Sequence, residues 1–202
     1  MSLDGTYAGL KASVADFLHR ADLTGIIPDL ITIGEKRIFR NVRCRVMEST
    51  FSGTIASGVI AVPSDYLELK FAYISASPTS YLAGASASQI YAKYPNRAAE
   101  GKPVLIGREG SNFIFGPYPD SAYAVAGTYY AKPTVVSSSA NALYVANPDL
   151  YLYAALCEAA PYIGDDPRIA VWEAKLNAIF NQIAYEASSE EGSSGGLSVK
   201  AA

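Results

Sequence analysis

Few side chains in this sequence belong to types that carry out catalysis. The chain contains one histidine, His19, and two cysteines, Cys44 and Cys157. His19 lies on a predicted helix, where a solvated or capping role is favoured over a catalytic one. Both cysteines fall on predicted helices without a partner at the spacing of a metal site or a redox pair, so we expect both to be reduced. The sequence therefore predicts no metal ion and no cofactor.

Carboxylates are the remaining candidates for chemistry. A glycoside hydrolase needs two of them facing each other across a cleft, and the candidates here are Asp65, Glu109, Asp120, Asp165 and Asp166. A helix cap explains Asp166, and turns explain Asp65 and Asp120. The sequence thus favours a protein that is not an enzyme. A carbohydrate-binding or glycoside-hydrolysing β module is the alternative.

A basic stripe is the main charged feature of the sequence. Its members, which align on one face of the second predicted helix, are Lys36, Arg40 and Arg43. A charged helix face is most often solvated, but this one also suits the phosphates of a DNA channel or an acidic patch on a neighbouring subunit. Residues 148–202 offer such a patch, since only Arg168, Lys175 and Lys200 oppose Asp149, Glu158, Asp165, Asp166, Glu173, Glu186, Glu190 and Glu191. We therefore favour the neighbour.

The composition indicates a surface with little charge. Charged residues make up 17% of the 202 residues, the net charge is −3, and tyrosine occurs 15 times. Tyrosine offers a large contact area and a hydrogen-bonding tip, so such a surface is often an interface. The alternative is that the tyrosines pack within sheets. With no leader and no apolar run of about 18 residues, we expect a soluble protein made in a cytoplasm.

Helical periodicity marks both ends of the chain. It predicts helices over residues 6–20 and 28–48, a central buried helix over 147–163, and a last helix that begins at Pro167. Asn147 is expected to cap the central helix. Gly34 lies within the apolar stripe of the second helix (Ile27, Ile31, Gly34, Ile38, Val42 and Val46), where a missing side chain lets another backbone come close. We expect a single bundle with a core that includes Ile38, Leu152, Leu156, Trp172, Leu176 and Ile179.

The middle of the chain changes to the period of β-strands. Strands are predicted over residues 54–62, 66–74, 104–108, 112–115 and 123–130, with a short helix over 86–94. In the second strand Leu67, Leu69, Phe71 and Tyr73 alternate with Glu68 and Lys70. The fold class is therefore α+β: N-terminal helices (1–52), an antiparallel β domain (53–146) and C-terminal helices (147–187).

The last segment, residues 188–202, is rich in glycine and serine. Alone it is too polar to bury and too rich in glycine to hold a helix. Leu197 and Val199 are two positions apart, so in an extended strand both side chains lie on one side and can fill pockets there. We expect this tail to dock on another protein, and a tail packed on the bundle is the alternative.

Several stretches, taken in order over about residues 5–187, resemble the head-to-tail adaptor proteins of short-tailed and related bacteriophages, also described as head-completion or tail-tubular-A-like proteins. The stretches that carry the resemblance are Arg43-Cys44-Arg45-Val46-Met47-Glu48, Val62-Pro63-Ser64-Asp65-Tyr66-Leu67-Glu68, Phe113-Ile114-Phe115-Gly116-Pro117-Tyr118-Pro119-Asp120, Tyr129-Tyr130-Ala131-Lys132-Pro133, and Asn147-Pro148-Asp149 with the helix that follows.

This resemblance implies a structural protein of the virion neck with no catalytic residues. It implies a ring of about twelve copies beneath the portal protein, which extends the DNA channel and receives a tail nozzle or another tail protein. Non-specific contact with packaged DNA follows from such a position, and contact with a membrane does not. The portal is then the expected docking partner of Leu197 and Val199.

Overall fold

The computed structural model describes residues 4–164 and 166–194. It contains helices and a mixed sheet, so the chain belongs to the α+β class. Two compact units divide it: a helical unit of residues 1–47 and 133–202, and a sheet unit of residues 48–132. Residues 133–146, which the sequence analysis assigned to the β domain, lie in the helical unit, because Val136, Leu143 and Tyr144 are buried there.

Helices α1, α2 and α4–α7 belong to the helical unit. Their bounds are α1 Tyr7–Leu18, α2 Ile27–Asn41, α4 Ala142–Ala146, α5 Pro148–Glu158, α6 Ala160–Ile163 and α7 Arg168–Ser194. Short 3-10 turns occur at Ala21–Leu23 and Arg45–Met47. Helix α3, Ala87–Lys93, belongs to the sheet unit and begins with a capping box formed by Ser86 and Gln89. No helix among the described residues is long and apolar enough to cross a membrane.

Helix α5 is the buried centre of the helical unit. It contacts α1, α2 and α7, and its buried residues include Leu152, Ala154 and Leu156. Helix α2 approaches it at Gly34, where an added Cβ would lie 3.0 Å from the carbonyl carbon of Ala154. The prediction that glycine permits close approach of two backbones is confirmed.

Two side chains near α5 differ from expectation. Asn147 occupies the N-cap position of α5, but its side chain makes no capping bond there. It also ends α4, and its Nδ2 donates instead to the Leu143 carbonyl, at 3.5 Å. Ile179 of α7 is only half-buried, whereas Ile38, Leu152, Leu156, Trp172 and Leu176 are buried as predicted.

The prediction that α2 extends to Glu48 is wrong. Helix α2 ends at Asn41, and Val42 is already extended, with φ −100° and ψ 132°. Strand β1 begins at Glu48, because the Ser-Thr-Phe-Ser run that follows favours a strand over a helix. Cys44 therefore lies outside a helix, although it is buried, and Val46 is exposed instead of completing the apolar stripe.

The last helix is longer than predicted. Helix α7 continues to Ser194, so residues 188–194 are helical and the prediction that they are extended is wrong. Glutamates at 190 and 191 favour a helix, and here they outweigh the neighbouring serines and Gly192. Leu197 and Val199 lie outside the described residues.

Seven strands form the sheet of the second unit in the order β1-β7-β3-β4-β5-β6-β2. Their bounds are β1 Glu48–Thr54, β2 Val59–Ala61, β3 Tyr66–Ile74, β4 Ser80–Gly84, β5 Leu105–Glu109, β6 Asn112–Gly116 and β7 Ala124–Ala131. The expected antiparallel sheet is in fact mixed, because β4 and β5 pair in parallel. Strand β4 was not predicted, and it lies in a segment rich in serine and alanine.

A tight turn replaces the middle of the strand predicted over residues 54–62. Ser57 and Gly58 have positive φ values of 51° and 73°, and Ala56 pairs with Val59. Two consecutive left-handed residues form the turn that suits a two-residue hairpin. This turn joins β1 and β2, the two edge strands of the sheet, so the ends of both edges meet there.

Strand β3 reverses its faces because its pairing with β7 is irregular. The register shifts between Tyr66 and Glu68 and again between Leu69 and Phe71. Each shift is an irregularity of the β-bulge type, which changes the face on which later residues lie. Phe71 is consequently 42% exposed while Ala72 is buried. The even alternation predicted for this strand is therefore wrong from Phe71 onward.

Candidate functional site

The predicted basic stripe is divided in the structure. Lys36 and Arg40 are exposed on α2, as expected. Arg43 lies beyond the end of the helix, and its Nη1 donates to the carbonyl oxygens of Phe39 and Val42, at 2.9 and 2.6 Å. Its side chain thus binds the carbonyls left unpaired at the C-terminus of α2. Of the three stripe residues, only Lys36 and Arg40 are exposed.

A second arginine of α2, Arg37, has a structural role that the sequence analysis missed. Its two terminal nitrogens donate to both carboxylate oxygens of Glu173 in α7, at 2.9 and 2.7 Å, and Glu158 in α5 lies 3.6 Å away. The hydrogen bond from Arg37 holds the pKa of Glu173 below its ordinary value. Spacing within one helix gives no signal for this interaction, because Glu158 and Glu173 lie 121 and 136 residues after Arg37 in the sequence.

Cys157 lies beside this ion pair, and its thiol has low reactivity. Burial, with a smaller contribution from Glu173, raises the pKa of its thiol to about 12. The thiol therefore stays protonated at neutral pH and is a poor nucleophile. Cys44 is also buried, and neither cysteine forms a disulfide.

Polar side chains also fix the segment that returns from the sheet unit to α4. The buried carboxylate of Glu35 accepts the Val136 N–H at 2.7 Å. Asn141 caps α4, accepts the Tyr151 hydroxyl at 3.1 Å, and donates to the Thr134 carbonyl at 2.6 Å. Burial raises the pKa of Tyr151. These groups are paired within the fold, which indicates a structural role.

The candidate carboxylates of the sheet unit each accept a tyrosine hydroxyl. Tyr129 donates to Asp65 at 2.9 Å, Tyr91 to Glu109 at 2.9 Å, and Tyr123 to Asp120 at 2.7 Å. Asp166 instead caps α7 by accepting the Arg168 N–H, and Asp165 lies outside the described residues. His19 is exposed and ends α1 with a left-handed backbone. Among the described residues no group of three metal-binding side chains comes together.

An uncharged aromatic surface lies on the outer face of the sheet. Phe71, Tyr73 and Tyr81, here called the aromatic row, follow one another across β3 and β4. The ring centroids of Phe71 and Tyr73 are 6.4 Å apart, and those of Tyr73 and Tyr81 are 6.3 Å apart. Tyr81 is 75% exposed. The row thus leaves part of the aromatic composition of the sheet unit on its surface.

A pocket of about 260 Å³ adjoins the aromatic row. Its walls come from β1, β3 and β7 and carry no charged residue, with hydroxyls from Thr50, Ser52 and Thr128 and rings from Phe71 and Tyr73. It lies below the roughly 300–1,000 Å³ of pockets that hold small-molecule ligands. We call it the row pocket. Its size and neutrality suit a side chain of another protein better than a substrate.

Comparison with known proteins indicates the class of protein to which the chain belongs. No curated protein matches the chain. A family model described as SU10 adaptor protein matches residues 5–199, which is nearly the whole chain. Membership of that family implies a structural role in the virion neck, in contact with other head or tail proteins. The chain belongs to the SU10 adaptor protein family, a family of bacteriophage head-tail adaptors.

Proposed function

We propose that this adaptor forms a closed ring of about twelve copies beneath the portal protein. The ring extends the DNA channel and presents a platform to the tail nozzle or another tail protein. The observation that supports a ring best is the aromatic row with its neutral pocket, because an exposed apolar surface is costly on a free monomer and useful between subunits.

The exposed cations of α2 contribute a second contact in this proposal. The side chains of Lys36 and Arg40 make no hydrogen bond or ion pair with another described residue. Several of the acids near the C-terminus are already paired within the chain: Glu173 and Glu158 with Arg37, and Asp166 with Arg168. Fewer acidic residues on the neighbour are therefore available to bind these cations than the sequence alone suggested. DNA phosphates remain the competing partner.

The C-terminal tail is the proposed link to the portal. Because α7 continues to Ser194, the docking segment shortens to residues 195–202, which contain Leu197 and Val199. Such a segment adds backbone pairing and two apolar side chains to a groove on the portal.

Mass measurement and imaging of assembled necks test the ring. Portal-containing heads are incubated with the purified chain, and the copies per head are counted by native mass spectrometry and by imaging. A ring of this chain at the neck is expected. A single copy per neck, or no density for the chain there, contradicts the proposal. Binding of the free monomer to oligosaccharides would favour the carbohydrate-binding alternative instead.

A further inference from the structure

Helix α6, Ala160–Ile163, has a feature that its own chain does not explain. All four of its residues are apolar, yet none of them is buried. Tyr162 is 52% exposed, Pro161 is exposed, and Gly164, which follows, is exposed as well. We call Pro161, Tyr162 and Ile163 the α6 tip. An exposed apolar projection without charges is a common sign of a contact with another protein.

The surroundings of the α6 tip distinguish it from other exposed apolar side chains. Between Glu158 and Asp165 the sequence carries no charge. Ile33, Val171 and Tyr185 are also exposed, but each has a charged residue one or two positions away in the sequence, whereas the charged residue nearest to Tyr162 is three positions away. Val145 belongs to a helix that buries two residues, so its helix is already anchored. Among the described helices, α6 is the one in which every residue is apolar and none is buried.

The row pocket has the complementary properties. It is a concave site walled by rings and hydroxyls, and, like the stretch between Glu158 and Asp165, it carries no charge. A charged occupant would lose its hydration there without a counter-charge, whereas a tyrosine buries its ring and leaves its hydroxyl near Thr50, Ser52 or Thr128. A single aromatic side chain is therefore the occupant that the pocket suits.

We propose that the α6 tip of one copy inserts into the row pocket of the next copy, with Tyr162 as the anchor. This proposal rests on the proposed ring and names a contact that builds it. The contact joins two different patches, so each copy still offers a free tip and a free pocket after it has bound one neighbour. Such head-to-tail contacts close into a ring when the rotation between copies allows it.

Substitution of the anchor is the first test. Sedimentation of the full-length chain, alone and with portal-containing heads, is measured for Tyr162→Ala and for Thr128→Arg, which places an unpaired charge in the pocket. Each is expected to weaken assembly at least about 30-fold, as loss of an interface hot spot does. Tyr185→Ala is the matched control, because it removes a similarly exposed tyrosine (73%) from α7. It is expected to change nothing.

Cross-linking then locates the contact. Chains carrying Tyr162→Cys are mixed with chains carrying Thr128→Cys and treated with a short bismaleimide, while the native cysteines are buried. Cross-linked dimers are expected in the mixture and not in either variant alone. Dimers of the Tyr162→Cys chain alone overturn the head-to-tail contact.

The outcomes separate this contact from the ring itself. Rings that form at the full complement with both Tyr162→Ala and Thr128→Arg overturn the contact and leave the proposed function in place. A wild-type chain that neither self-associates nor joins portal-containing heads overturns both. If Tyr162→Ala weakens binding to heads while the cross-link never forms, the tip contacts another neck protein and the contact proposed here is wrong.

Discussion

Different kinds of side chain stabilise the helical unit and the sheet unit, each within itself. In the helical unit, polar groups join segments that are far apart in sequence, such as Arg37 with Glu173 and Glu35 with Val136. In the sheet unit, rings pack on rings: Phe51 stacks on Phe113 at 5.3 Å, and Tyr66 on Tyr129 at 5.8 Å. The comparison indicates that polar bonds between distant segments fix the helical unit, whereas packed aromatic rings form much of the core of the sheet unit.

Truncation of the two cores is expected to have the largest effect. Leu156→Ala in α5 should cost about 2–5 kcal/mol and Phe113→Ala in β6 about 3–5 kcal/mol, since both side chains are buried. The only tryptophan, Trp172, lies in the helical unit, so its fluorescence follows that unit during urea unfolding while circular dichroism follows both. Leu156→Ala should shift the fluorescence midpoint, and Phe113→Ala mainly the dichroism. Tyr185→Ala is the control and should stay within about 0.5 kcal/mol. Equal shifts of both signals by both core variants would show that the units unfold as one.

Loss of the Arg37–Glu173 pair is expected to have an intermediate effect. Arg37→Met should destabilise the helical unit by about 1–2 kcal/mol, a figure discounted for the partial exposure of both side chains. The folded pKa of Glu173 is lowered, so its contribution is present above the unfolded pKa, near 4.5, and is lost as pH falls through the folded value. The free energies of urea unfolding of the wild type and of Glu173→Gln should therefore converge as the pH falls below the pKa of an ordinary glutamate. A gap between them that stays constant down to strongly acid pH would contradict the assignment.

Substitutions in the predicted basic stripe should have two different effects, one on stability and one on assembly. Arg43→Gln removes the cap of α2 and should cost about 0.5–1.5 kcal/mol. The double variant of Lys36→Gln and Arg40→Gln should leave stability within about 0.5 kcal/mol and weaken ring assembly in a manner that depends on salt. Thermal unfolding and sedimentation at two salt concentrations measure both. Unchanged assembly together with faster loss of packaged DNA would instead place these cations in the channel.

The smallest effect on folding is expected from removal of the tail. Deleting residues 195–202 leaves all of α7 and should not change the unfolding midpoint, whereas the shortened chain should be released from portal-containing heads. The wild-type chain is the reference in the same pull-down. Heads that keep the shortened adaptor at the full complement would disprove the role of Leu197 and Val199.

Sequence alone gave a good account of the helical unit. Hydrophobic period located α1, α5 and α7, and Gly34 marked the close approach of two helices, because these features depend on residues near one another in the chain. The end of α2 was misplaced because the capping of its last carbonyls by Arg43 leaves no mark in the periodicity. The Arg37–Glu173 pair was missed because tertiary structure brings those residues together.

In the sheet unit the aromatic surface was expected but could not be located. Two irregularities in the pairing of β3 with β7 place Phe71 on the outer face, and they depend on the partner strand as much as on β3 itself. Helix α6 was read as part of the central helix, and its exposure depends on packing that periodicity does not describe. Strand β4 was missed because its serine and alanine residues carry a weak strand signal.

The turn at Ser57-Gly58 has a consequence for how the protein behaves before assembly. Strand edges that stay open can recruit other chains and aggregate, a hazard that grows with concentration. This turn joins the two edge strands, and one of them, β2, is only three residues long. The β2 edge therefore offers little backbone through which chains could polymerise wrongly. Ser57→Val disfavours the left-handed backbone at that turn. Its first expected effect is a lower yield of soluble protein.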